Sequence, residues 1–114
     1  MPYLKIQTNT DIDVDTGKAL LAKASRLTAN QLGKPERYVM VDLEAGRSML
    51  FAGSDAPLAY LELKSIGLPE TTTAALSSAL ADLMHTELGV PPDRVYVEFA
   101  DAARHMWGWN GATF

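Results

Sequence analysis

The stretches LGKPERYVMVDL (residues 32–43) and LGVPPDRVYVEF (residues 88–99) decide the fold, because each reads as the end of a helix followed by a strand. Gly33 and Gly89 close helical patterns, and proline follows each of them, Pro35 in one copy and Pro91 with Pro92 in the other. Glycine tolerates the left-handed backbone at a helix end, and proline beyond it keeps the helix from continuing. After a short polar turn, apolar and polar residues alternate, which is the period of a strand with one buried face. Further out, YLKIQT from residue 3 answers YLELKS from residue 60, 57 positions on. A doubling that recurs in order implies two related β-α-β halves.

The remaining elements fit that scheme. Strand-like runs lie at residues 3–7, 38–43, 58–64 and 95–99, and helical spacing covers residues 15–32 and 69–88. Asp13 and Asp15 are capping candidates for the first helix, which repeats Leu20, Ala24 and Leu27; Pro69 suits the first turn of the second, which carries Leu76, Leu80, Leu83 and Met84. The fold class is α+β: a four-stranded sheet in one domain over residues 1–114, with right-handed crossovers placing both helices on one face. Alternation assigns Leu4, Ile6, Val39, Val41, Leu43, Leu61, Leu63, Val95, Val97 and Phe99 to the core. The opposite set holds Tyr3, Lys5, Gln7, Tyr38, Met40, Asp42, Tyr60, Glu62, Tyr96 and Glu98, and so all four tyrosines of the chain. Four amphipathic rings suit a face packed on another subunit better than a solvated one.

Composition narrows the partners. With 47% hydrophobic and 21% charged residues the 114-residue chain is an ordinary globular one. A net charge of −4 with no basic stripe argues against nucleic acid, and no apolar run is long enough for a membrane span. The first ten residues lack the pattern of a secretion signal, so cytoplasm is the default expectation. There is no cysteine, hence no thiolate chemistry. His85 and His105 share no metal-ligand spacing, and there is no glycine-rich phosphate loop, so neither metal nor cofactor is expected.

Five segments, MPY at the start, LGKPERYVMV from residue 32, KSIG from residue 64, PPDRVYVEF from residue 91 and GWNGATF from residue 108, together resemble the macrophage migration inhibitory factor and dopachrome tautomerase family over the whole length. The resemblance implies a homotrimer whose sheets surround a channel, with active sites between subunits. It also implies cofactor-free keto-enol tautomerisation of an aryl 2-keto acid such as phenylpyruvate, with Pro2 as the general base once Met1 is removed. A secondary amine acts as a base only when neutral, and an apolar pocket with a cation nearby disfavours its protonated form. The resemblance makes Lys34 the partner of the substrate carboxylate, and Ser65 and Ile66 a loop offering a backbone donor and an apolar wall. Tyr3, Tyr38, Tyr96, Trp107, Trp109 and Phe114 match or neighbour positions that enclose an aromatic ring in the family.

Each of these residues also has a plainer reading. Pro2 reads equally as an ordinary processed terminus, Lys34 as a lysine favoured by a helix C-terminus, and Trp107, Trp109 and Phe114 as a hydrophobic plug. Glu98 stands where vertebrate members carry asparagine; a carboxylate there repels an anionic substrate and favours a protonated Pro2. Trp107 replaces a smaller residue and narrows the pocket. Residues 56–60 lack the family's paired cysteines, which removes thiol redox activity. The alternative function is a cytokine-like binding protein with a vestigial pocket and a receptor as partner.

Overall fold

Strand β1 (Tyr3–Thr8) buries Leu4, Ile6 and Thr8 completely while Tyr3, Lys5 and Gln7 stay half-buried, and this alternation orients the rest of the sheet. In the computed structural model, which describes residues 1–114, β1 lies beside β2 (Met40–Glu44), β3 (Ala59–Ile66) and β4 (Val95–Ala102) in the order β2-β1-β3-β4. The pairs β1–β2 and β3–β4 are parallel, and β1–β3 is antiparallel with Tyr3 opposite Lys64. Helix α1 (Val14–Leu32) bridges the first parallel pair and α2 (Thr73–Leu88) the second. Leu4, Ile6, Leu61 and Leu63 join Leu20 and Ala24 of α1 and Leu76, Leu80 and Met84 of α2 in one buried cluster, so both helices cover the same face. No helix is long and apolar enough to cross a membrane.

The helix ends obey local rules. The Asp13 carboxylate accepts a hydrogen bond from the Thr16 backbone N–H at 2.7 Å, capping α1. At the other end Gly33 adopts φ 62°, its N–H donates to Asn30, and the Lys34 N–H reaches back to the Ala29 carbonyl at 3.0 Å. That pair of bonds is the Schellman motif, which requires a left-handed residue at this place.

Three expectations are corrected. Tyr38 and Val39 are not strand residues: after Pro35 the chain makes a 3-10 turn over Glu36–Tyr38, closed by the Val39 N–H on Glu36 at 2.9 Å. The turn breaks the alternation, so Val39 leaves the core cluster and Tyr38 leaves the open sheet face to Tyr3, Tyr60 and Tyr96. Pro69 precedes a separate 3-10 turn, Glu70–Thr72, rather than occupying the first turn of α2. Finally, the sequence reading passed over a hairpin of β5 (Gly108–Trp109) and β6 (Ala112–Thr113). Its turn places Asn110 at φ 52° and Gly111 at φ 76°, the left-handed pair that an Asn-Gly dipeptide supplies.

A β-carbon added at Gly33 meets nothing within 4 Å, so the cost of Gly33→Ala is purely conformational. We expect about 1 kcal/mol of lost stability in denaturant unfolding.

Candidate active site

The site grows from the first strand backwards. Because Leu4 and Ile6 point to the helix side, the alternation places Pro2 there as well, and its side chain is fully buried. The Pro2 carbonyl accepts from the Met40 N–H at 3.0 Å, which pins it to the start of β2. One step further along the antiparallel ladder than the Tyr3–Lys64 pair stands the buried Ser65, near the end of β3. The left-handed Gly33 turn carries Lys34 over this junction. Its Nζ donates to Ser65 Oγ at 2.9 Å and to the Ile66 carbonyl.

This setting acts on an amine at the start of the chain. Met1 is present, so the Pro2 nitrogen is an amide here and the terminal amine belongs to Met1. Partial burial, then the Lys34 charge and a hydrogen bond with Lys34, bring that amine from 8.0 down to about 6. Burial also lowers the pKa of Lys34, opposed by its bond to the terminal amine and by the Asp101 carboxylate.

An aromatic wall faces Pro2. Trp109 and Phe114 stack with centroids 5.6 Å apart and planes 14° from parallel. Tyr38 meets both edge-on, at 5.6 and 6.2 Å. The hairpin and the 3-10 turn are therefore held together by their rings, and with Trp107 they line a cavity of about 530 Å³ that reaches Pro2 and Tyr3. A second cavity, of about 650 Å³, is lined by Lys34, Ile66, Gly67, Asp101 and Arg104. Met1 is the one residue common to the two linings.

Of the residues singled out from the sequence, Pro2, Tyr3, Tyr38, Trp107, Trp109 and Phe114 line one cavity, and Lys34, Ser65 and Ile66 are bonded together next to it. Tyr96 and Glu98 do not join them within one chain. Both lie exposed on the open sheet face, Tyr96 with its ring 4.7 Å from Phe51 and Glu98 accepting from the Tyr60 hydroxyl at 2.6 Å. That bond, with burial and Glu62, pushes the Tyr60 phenol above its usual range. Arg37, Val39, Met40 and Lys64 also line the aromatic cavity and were not read as site residues. Arg37 and Lys64 stand inside the motifs KPERY and KSIG, but a single charge in a turn or on an open strand face looks like any solvated residue.

Two β-α-β halves sharing one sheet, with a buried proline at the head of the first strand and a lysine bonded beside it, define a tautomerase-superfamily fold. Residues 1–114 match the sequence profile described as macrophage migration inhibitory factor (MIF). The chain is 40% identical to the macrophage migration inhibitory factor homolog of Brugia malayi, covering 100% of this chain and 99% of the relative. It is 31% identical to the mouse (Mus musculus) macrophage migration inhibitory factor, with the same coverage. The crystal structure of the homologue from Prochlorococcus marinus superposes with a TM-score of 0.93 at 40% identity, over 98% of each chain. The Trichinella spiralis factor superposes with a TM-score of 0.90 at 33% identity, over 98% of this chain and 99% of that one. The chain belongs to the macrophage migration inhibitory factor family.

Replacing Lys34 by alanine removes a positive neighbour and so relieves the penalty on the ammonium form. In protein retaining Met1, the terminal amine should then titrate above about 6 yet still below 8.0, since its burial remains. Titration of the isotopically labelled α-amino group by NMR reads this directly. An unchanged value would show that Lys34 does not set the local field.

Proposed function

We propose that the chain is a cofactor-free keto-enol tautomerase of aryl 2-keto acids such as phenylpyruvate, with Pro2 as general base and acid after removal of Met1. The observation that carries this reading is the placement of the chain start between a half-buried lysine and an aromatic cavity, in surroundings that lower a terminal amine to about 6. Removal of Met1 takes away the residue that separates the two cavities and moves the amine one position inward, to the buried Pro2.

The chemistry follows from those positions. A neutral Pro2 nitrogen takes a proton from the carbon next to the keto group, and the C–H electron pair moves into the new C=C bond as the carbonyl π pair moves onto oxygen. The resulting prolinium returns the proton to that oxygen, giving the enol, and ketonisation runs the same steps in reverse. Lys34 holds the substrate carboxylate, which fixes the acidic carbon relative to the base and offsets charge developing on the enolate. Stacking between Trp109, Phe114 and Tyr38 favours an aryl group.

A homotrimer with active sites between subunits completes the proposal. Its support is the uncovered sheet face bearing Tyr3, Tyr60 and Tyr96, the free edges of β2 and β4, and the separation of Tyr96 and Glu98 from Pro2 within one chain.

With the N-terminus verified by intact mass, protein beginning at Pro2 should tautomerise phenylpyruvate. Pro2→Gly should lower kcat/KM by about 10²-fold or more, and retained Met1 should do the same. Since the base works only when unprotonated, activity should fall as pH drops through the lowered pKa of the prolyl amine and level off above it. Full turnover by Pro2→Gly would remove proline from the mechanism, and no turnover by authentic Pro2 protein would move the balance to a binding role. Separately, light scattering should return three times the 12.4 kDa chain mass, and a monomer would refute the shared site.

A further inference from the structure

The aromatic cavity holds more positive charge than a singly charged keto acid needs. Arg37 and Lys64 both line it, no aspartate or glutamate does, and Lys34 lies beyond Met1 in the neighbouring cavity. Arg37 makes no ion pair or side-chain hydrogen bond; its guanidinium rests over the Tyr38 ring, 4.8 Å from the centroid. That stacking aligns a planar five-donor fork with the aromatic wall and leaves its N–H groups free. Lys64 has one acidic neighbour, Glu62, at 3.8 Å, the outer limit of an ion pair, and Glu62 also accepts from the Tyr60 hydroxyl at 3.1 Å.

Arg37 and Lys64 are both solvent-exposed and no carboxylate lines the cavity beside them, so the charge complementary to this wall is an anion. Lys34 lines one cavity and Arg37 and Lys64 the other, with Met1 common to both, so a ligand spanning the two meets positive charge in each and aromatic rings in the second. We propose that this site selects doubly anionic aryl 2-keto acids, with Arg37 and Lys64 binding a second carboxylate carried on the ring. This inference rests on the tautomerase reading for its keto acid, while the charge arrangement is independent of turnover.

The test therefore has a binding arm and a turnover arm, both on protein with an authenticated Pro2 terminus. Calorimetry compares 3-(4-carboxyphenyl)propanoate with 3-phenylpropanoate, neither of which can tautomerise; kinetics compare (4-carboxyphenyl)pyruvate with phenylpyruvate. The doubly charged ligand should bind about tenfold more tightly, the size expected of a charge-assisted hydrogen bond in a partly dry site. The same preference should appear in kcat/KM. In Arg37→Gln and Lys64→Gln the ratio of the two affinities should collapse towards one, and 0.5 M salt should shrink it in the parent protein. Turnover of phenylpyruvate without any preference for the second carboxylate overturns this inference and leaves the tautomerase reading standing. A preference that depends on Arg37 and Lys64, in protein that tautomerises neither keto acid, upholds the anion subsite and overturns the tautomerase reading. Equal or absent binding of the dicarboxylate overturns the subsite outright, as does a preference that survives both substitutions.

Discussion

The bond from the Lys34 ammonium to Ser65 Oγ and the Ile66 carbonyl is the constraint on which the site depends. It ties the end of α1, in the first half, to the end of β3, in the second, so the two β-α-β units meet through a charge. A half-buried ammonium loses hydration, and fixed oxygen acceptors must replace it. The left-handed Gly33 delivers the side chain and buried Ser65 receives it, so backbone geometry at one glycine sets the electrostatics around Pro2. The same ammonium disfavours a second positive charge beside it, so in the proposed reaction one residue serves both the binding of a carboxylate and the poise of the base.

The internal repeat shows how one half became a site and its counterpart became core. In the alignment of the halves, Lys34 answers Val90, Pro2 answers Ala59 and Ser65 answers Thr8. At the second end Val90 and Ala59 are buried apolar side chains, and Thr8 Oγ1 turns to the Leu58 carbonyl at 2.7 Å. The backbone is alike at both ends, with Gly89 at φ 69° closing α2 as Gly33 closes α1. What differs is a charge, an imino acid and the direction of one hydroxyl. Fold symmetry therefore carries no chemistry by itself, and the function lies in the residues that break it.

Much of this was legible in the sequence because glycine, proline and period-two alternation are local signals. They placed four strands, two helices and the buried set Leu4, Ile6, Leu61 and Leu63. Tyr38 and Val39 were misread because alternation continues in the letters while the backbone does not: Pro35 starts a 3-10 turn that turns both residues towards the cavity. The Asn110-Gly111 signal was present but short, flanked by two strands of two residues each. Pro2, Lys34 and the C-terminal aromatics could be named only through resemblance, since their proximity arises from tertiary contacts over long sequence separations. Arg37 and Lys64 were invisible for a different reason: a cation in an aromatic cavity and a cation in water have the same one-letter code.

The overall charge of −4 gives the wrong impression of the site, and the sheet explains why. Asp42, Glu44, Glu62 and Glu98 all take positions on the open face, and tyrosine hydroxyls engage three of them, Tyr3 on Asp42 at 3.1 Å and Tyr60 on Glu98 at 2.6 Å and on Glu62 at 3.1 Å. These bonds stabilise the neutral phenols, whose pKa values are raised, and hold the acids away from the helix side where Pro2 is buried. Screening at physiological salt has a length of about 8 Å, so a small anion in these cavities responds chiefly to the charges that line them, Arg37 and Lys64 in one and Lys34, Asp101 and Arg104 in the other. A polyanion such as nucleic acid instead meets the whole surface and its negative excess. Net charge and local charge are therefore separate quantities here: the chain as a whole is acidic, while the lining of the aromatic cavity carries Arg37 and Lys64 and no carboxylate.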